Sequence, residues 1–123
     1  MADDGFNISI LSRPDMPTRS FRPGDIIFRE GEAADELFVI KEGQVEIRLN
    51  GRVLEQLGES DLFGEMALID HEPRSASAIA STEVEIVPIT EKQFLYLVDE
   101  APFFALKVMR VLAGRLRSQS RAA

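Results

Sequence analysis

From Phe21 onward the hydrophobic residues come in short runs broken by charge and glycine. The segment DIIF, Asp25–Phe28, is short and β-branched at its centre, as strands are. Within ELFVIKEGQVEIRLNGRVLEQL, Glu36–Leu57, Val45, Ile47 and Leu49 alternate with Glu46 and Arg48. A period of two gives a strand with one buried and one wet face. Asn50-Gly51 lies between two such runs, and a two-residue Asn-Gly turn predicts a hairpin because both positions take positive φ. Gly24, Gly31, Gly43, Gly51 and Gly58 punctuate the region every 7 to 12 residues. Many short strands with regular turn signals predict a sandwich or barrel.

The period changes after SASAIASTEVEIVPI, Ser75–Ile89. Thr90 and Gln93 have capping-box spacing at the head of a helix. Ala101-Pro102 opens a second helix, with proline at or near its first turn. In that helix Phe104, Val108, Val111, Leu112 and Leu116 lie three and four apart, which predicts one apolar face. Residues 1–16 lack clear periodicity and read as a lead-in, with one helical turn near Ile8–Ser12. The fold expected is mainly β with flanking helices. It is a jelly-roll-like β-roll followed by two C-terminal helices.

One segment does not suit a plain β-roll. In FGEMALIDHEPRSAS, Phe63–Ser77, a glycine precedes a carboxylate, a one-turn helix follows, and Pro73, Arg74 and a row of small residues close the stretch. Gly64 permits close approach to its backbone. The turn formed by EMALI directs N–H groups out of its start, which favours an anion. Arg74 can grip a phosphate with two parallel bonds, and Ser75 adds a hydroxyl. Glu65, at the same helix start, would repel an anion but accept from a hydroxyl. A sugar phosphate carries both groups, so the segment suits a nucleotide with few phosphates. A triphosphate site would show a glycine-rich loop with lysine, and none is present. The competing reading is a Glu65–Arg74 salt bridge bracing a surface loop.

Composition narrows the classes. The 123 residues fit one domain. No cysteine is present, which removes disulfides and thiol chemistry and fits a reduced, cytoplasmic setting. No apolar run is long enough to span a bilayer, and the acidic N-terminus lacks a signal pattern. Residues Met1–Glu100 carry 21 acidic and 9 basic side chains, whereas Ala101–Ala123 carry five basic and no acidic ones, giving −7 overall. The acidic body should repel nucleic acid, and the basic tail is expected to pack against it. His71 is the only histidine, too few for a metal-dependent β-barrel enzyme, and is expected in an exposed loop. No nucleophile–base pair is visible, and no metal or cofactor is expected.

The stretch FGEMALIDHEPRSASAIA resembles the phosphate-binding cassette of the cyclic nucleotide-binding domain family. That family includes protein kinase A regulatory subunits, bacterial catabolite activator proteins and cyclic-nucleotide-gated channels. The upstream GDIIFREGEAADELFVIKEGQVEI resembles its early strands, and LAGRLR its last helix. The resemblance places a cyclic nucleotide-binding domain over 17–121. It implies that Gly64 and Glu65 bind the ribose 2′-hydroxyl and that the backbone of Met66 and Ala67 approaches the phosphate. Arg74 would pair with the cyclic phosphate, helped by Ser75. Ile47, Val53 and Leu54 are candidates for apolar contacts with the purine, and Gln119 or Ser120 for a lid over it. cAMP is favoured over cGMP. Few residues follow Arg117, so the helix-turn-helix of the family's transcription factors, and DNA binding by that route, are not expected. Output is expected through a protein partner or a homodimer formed by the C-terminal helix. The rival expectation is a β-roll interaction module that has lost its ligand.

Overall fold

The computed structural model describes residues 17–122, without the side chains of Arg115 and of 118–122. The expected lead-in and the turn near Ile8–Ser12 lie outside the described residues, as do the side chains of Gln119 and Ser120. Among the described residues eight strands and three helices follow one another. Strands β1 (Arg19–Phe21), β2 (Ile26–Phe28), β3 (Glu36–Glu42), β4 (Val45–Leu49), β5 (Arg52–Leu57) and β6 (Leu62–Phe63) lead into helix α1 (Met66–Ile69). Then come β7 (Ser77–Ala80), β8 (Val84–Thr90), α2 (Glu91–Glu100) and α3 (Phe103–Ala122).

The strands form two antiparallel four-stranded sheets, ordered β1-β8-β3-β6 and β2-β7-β4-β5. Both contribute to one core, in which Phe28, Phe38, Ile40, Val45, Leu57, Phe63, Ala78, Ala80, Val84 and Ile86 are buried together. In β3 and β8 both faces are buried: Leu37, Val39, Val87 and Ile89 are as inaccessible as the core-facing residues between them. That is why LFVI reads as a continuous apolar run rather than an alternation.

The Asn50-Gly51 hairpin is present, with φ of 54° and 78°. Val45 is buried and Arg48 exposed, the split that period two requires, but β5 departs from it. It is a sheet edge, and Val53 and Leu54 are exposed. Edge strands have one neighbour and cannot bury what a central strand does. The turn into β4 depends on Gly43, with φ of 96°; a Cβ there would lie 2.1 Å from the carbonyl oxygen of Glu83.

The described chain divides into two compact units, the β-roll up to Glu91 and the helical segment from Lys92. In the helical unit α2 begins directly after Thr90, and α3 begins directly after Pro102. The Ala101 N–H donates to Leu97 O (2.7 Å), and the Phe104 N–H to Ala101 O (2.8 Å). The rings of Phe94 and Phe104 meet at 5.7 Å between centroids. Phe104 and Val108 are buried as expected, whereas Leu116 is 65% exposed. The apolar face thus loses its cover toward the end of the helix.

Candidate functional site

Gly64 sits between β6 and α1 with φ of 74°, a left-handed conformation that side chains disfavour. This bend turns the chain from the strand into a single helical turn. Leu68 N–H donates to Glu65 O (3.1 Å) and Asp70 N–H to Met66 O (3.0 Å), which closes the turn. Ala67 N–H donates to Gly64 O at a long 3.3 Å. Glu65 stands at the N-cap in helical conformation, and its side chain makes no capping bond. It is nonetheless 1% exposed. Met66 is exposed and Ala67 buried.

The return to β7 is tightly held. The Asp70 carboxylate accepts from Glu72 N–H (3.0 Å), and His71, exposed as expected, adopts φ of 57°. Arg74 N–H then donates to Glu32 O (2.9 Å), while Arg74 O accepts from Gly31 N–H (2.8 Å). Glu30 N–H donates to Ser77 Oγ (3.0 Å). These three bonds lash the segment after α1 to the loop between β2 and β3, fixing where the arginine starts.

The Arg74 side chain is 9% exposed. Its Nη1 donates to Gly64 O (3.0 Å) and its Nη2 to Glu36 O (2.8 Å). The guanidinium carbon lies 4.1 Å from the ring centroid of Phe28 and 5.3 Å from that of Phe38. Its Nε is buried and makes no hydrogen bond among the described residues. Burial pushes the Arg74 pKa below its ordinary value; Glu36, Asp35, Glu32 and Glu65, in decreasing order, oppose that shift. A buried cation held by two backbone carbonyls, with a donor to spare, can accept an anion without first stripping a full hydration shell. Ser75 is exposed beside it.

The structure therefore brings Gly64 and Arg74 into direct contact, with Glu65 between Gly64 and α1. Neither Glu65 nor Arg74 is a surface group, so an exposed brace does not describe them. The purine candidates are spread differently. Ile47 is partly buried against the core. In the β4–β5 register Ile47 faces Glu55, and Arg48 faces Val53, with an irregularity between. Successive residues point to opposite faces, so Val53 shares the face of Arg48 and Leu54 falls at the irregularity. Among the described residues no group of three or more His, Asp or Glu is placed to hold a metal ion. No helix among them is long and apolar enough to cross a membrane.

Sequence reasoning missed Phe28, Phe38 and the Glu36 carbonyl. They reach Arg74 from β2 and β3, 36 to 46 positions away along the chain. The only sequence signal was the acidic run EGEAADE after DIIF, which marks a place where a buried cation finds partners.

The chain matches the cyclic nucleotide-binding domain over residues 18–101. It is 36% identical over 115 residues to the CRP-like cAMP-activated global transcriptional regulator of Mycobacterium tuberculosis, covering 89% of this chain and 51% of that one. It is 40% identical over 89 residues to a cGMP-dependent protein kinase of Plasmodium berghei, covering 72% of this chain and 10% of the kinase. Its structure resembles the catabolite activator protein of Thermus thermophilus with a TM-score of 0.77 and 33% identity, over 87% of this chain and 53% of that one. The chain spans about half the length of the regulators it matches. With the two-sheet β-roll, the one-turn helix after Gly64 and these matches, the chain belongs to the cyclic nucleotide-binding domain family.

Proposed function

We propose that this chain is a cyclic nucleotide receptor, with cAMP favoured over cGMP. Arg74 and the amides at the start of α1 hold the cyclic phosphate, Glu65 accepts from the ribose 2′-hydroxyl, and Ser75 assists. Ile47, Val53 and Leu54 are the apolar candidates for the purine, with Gln119 or Ser120 closing over it. The observation that carries the reading is Arg74, 9% exposed and held against Gly64, whose Nε makes no hydrogen bond among the described residues. Burying a guanidinium costs several kcal/mol, in order of magnitude, and each further partner offsets part of it. An anionic ligand adds a partner at Nε, and a neighbouring hydroxyl can donate to Glu65.

The family is regulatory, and its binding domain performs no chemistry. Binding shifts α3 between positions, and the size of the shift follows the ligand's differential affinity for them. The output surface is α3. Ala105, Met109, Leu112 and Leu116 follow one another at four, three and four residues, the seam of a coiled coil, with Met109 and Leu116 exposed. A second copy of the chain fits that seam. In support of cAMP, the regulator similar over 89% of this chain carries cAMP in its name, whereas the kinase named for cGMP is similar over 72%.

Thermal unfolding with excess cAMP or cGMP, run beside Arg74→Ala, tests the reading. Ligand at a hundred times its Kd adds about 2.7 kcal/mol, a rise of roughly 10 °C for a domain of this size. Arg74→Ala is expected to weaken binding about tenfold to a hundredfold. A parent indifferent to both nucleotides would be an interaction module without a ligand.

A further inference from the structure

Arg74 does not rest on another charge. It lies on an aromatic floor in which Phe28, Phe38 and Phe63 have centroids 5.3 to 5.9 Å apart. Phe63 is fully buried, and Phe28 and Phe38 nearly so. The floor is built from three strands of both sheets, β2, β3 and β6, so it is fixed by the core itself. Of its rings, Phe28 lies nearest the cation, at 4.1 Å.

The guanidinium is thereby held on three sides. Gly64 O takes one terminal nitrogen and Glu36 O the other. Phe28 covers one face. A ring face attracts a cation through its quadrupole yet occupies none of its five N–H donors. A carboxylate in the same place would have used two. The contact therefore compensates part of the cost of burial while leaving Nε and the remaining N–H groups for an incoming anion.

We propose that Phe28 is a positioning residue for anion binding, holding the Arg74 guanidinium in its receptive orientation through its π face. The inference rests on the cyclic nucleotide reading above and adds to it a core residue that acts on the ligand only through the arginine. Its prediction is specific to ring electrons. Leucine would fill much of the same volume but offers no quadrupole. Fluorinated phenylalanines keep the ring's shape and weaken its negative face step by step.

The test is cAMP titration calorimetry on the full chain, with Phe28→Leu and with mono-, di- and trifluorinated phenylalanine at position 28. The unfolding midpoint of each is measured without ligand. Affinity is expected to fall progressively with fluorine count, reaching about threefold to tenfold for the trifluoro ring, the span that a buried cation–π contact commands. The unliganded midpoint should fall by no more than several degrees across the fluorinated series, the ring's own share in burying the cation. Phe28→Leu should lose at least as much affinity as the trifluoro ring. In an Arg74→Ala background the fluorine series should leave residual affinity unchanged, because the ring then has no cation to hold.

Three outcomes overturn the inference. If the parent binds neither cAMP nor cGMP, the receptor reading fails and takes this one with it. If the parent binds and the fluorinated rings bind equally well, only the role of Phe28 fails. If the midpoint falls while affinity holds, or the series survives in Arg74→Ala, Phe28 acts as core packing alone.

Discussion

Gly64 and Arg74 are made for each other: Arg74 Nη1 donates to Gly64 O at 3.0 Å, and a Cβ on Gly64 would lie 2.7 Å from that same nitrogen. The missing side chain is the space the guanidinium occupies. The positive φ of Gly64 also aims its carbonyl at the arginine while releasing the chain into α1.

Gly64→Ala therefore carries two penalties. A left-handed non-glycine residue costs about 1–2 kcal/mol, and the added methyl displaces Arg74. The unfolding midpoint should drop by about 5–10 °C, and cAMP affinity by more than the loss of stability alone would cause. Calorimetric unfolding and titration together check this. An unchanged affinity would mean that the guanidinium is not held at the phosphate position.

Glu65→Gln keeps the shape of a buried side chain and removes its charge. A neutral amide oxygen still accepts from a hydroxyl, more weakly than a carboxylate. The expected loss in cAMP affinity is about threefold to tenfold, less than for Arg74→Ala. A ligand lacking the ribose 2′-hydroxyl should bind the parent and Glu65→Gln about equally, and a clear difference would place the 2′-hydroxyl elsewhere.

Two glycine turns should respond unequally to alanine. At Gly43 the new Cβ would meet backbone, Glu83 O at 2.1 Å and Val84 Cα at 2.9 Å. At Gly51 nothing lies within 4 Å, and only the positive φ is at issue. Gly51→Ala should cost about 1 kcal/mol and leave a foldable protein. Gly43→Ala should cost more than about 3 kcal/mol, because the β3–β4 connection must move. Denaturant midpoints measured side by side decide it.

The α3 seam gives a prediction about assembly. Met109→Glu with Leu116→Glu changes two exposed residues. Monomer stability should stay within about 0.5 kcal/mol for each. Self-association, followed by analytical ultracentrifugation with cAMP present, should disappear. A parent that is monomeric at all concentrations would remove the second copy as the reader of α3.

How much of this was legible beforehand varied with the range of the interactions. The Asn50-Gly51 hairpin, the single turn Met66–Ile69 and the two C-terminal helices were legible because each is dictated by neighbouring residues. The exposure of Val53, Leu54 and Leu116 was not, since an apolar residue becomes core only if another element covers it. That Glu65 and Arg74 are buried, and not a surface brace, was not legible either, because spacing says nothing about burial.

The sequence by itself determined the local grammar: where the chain turns, where its period changes from two to that of a helix, and which short segment combines glycine, carboxylate and arginine. Those features depend on φ preferences and side-chain periodicity, which act over a few residues. Only the tertiary structure decided what stands around Arg74. Phe28, Phe38 and the Glu36 carbonyl converge on it from strands remote in sequence. Their approach is set by sheet pairing and core packing, and those are properties of the whole β-roll rather than of any one stretch of chain.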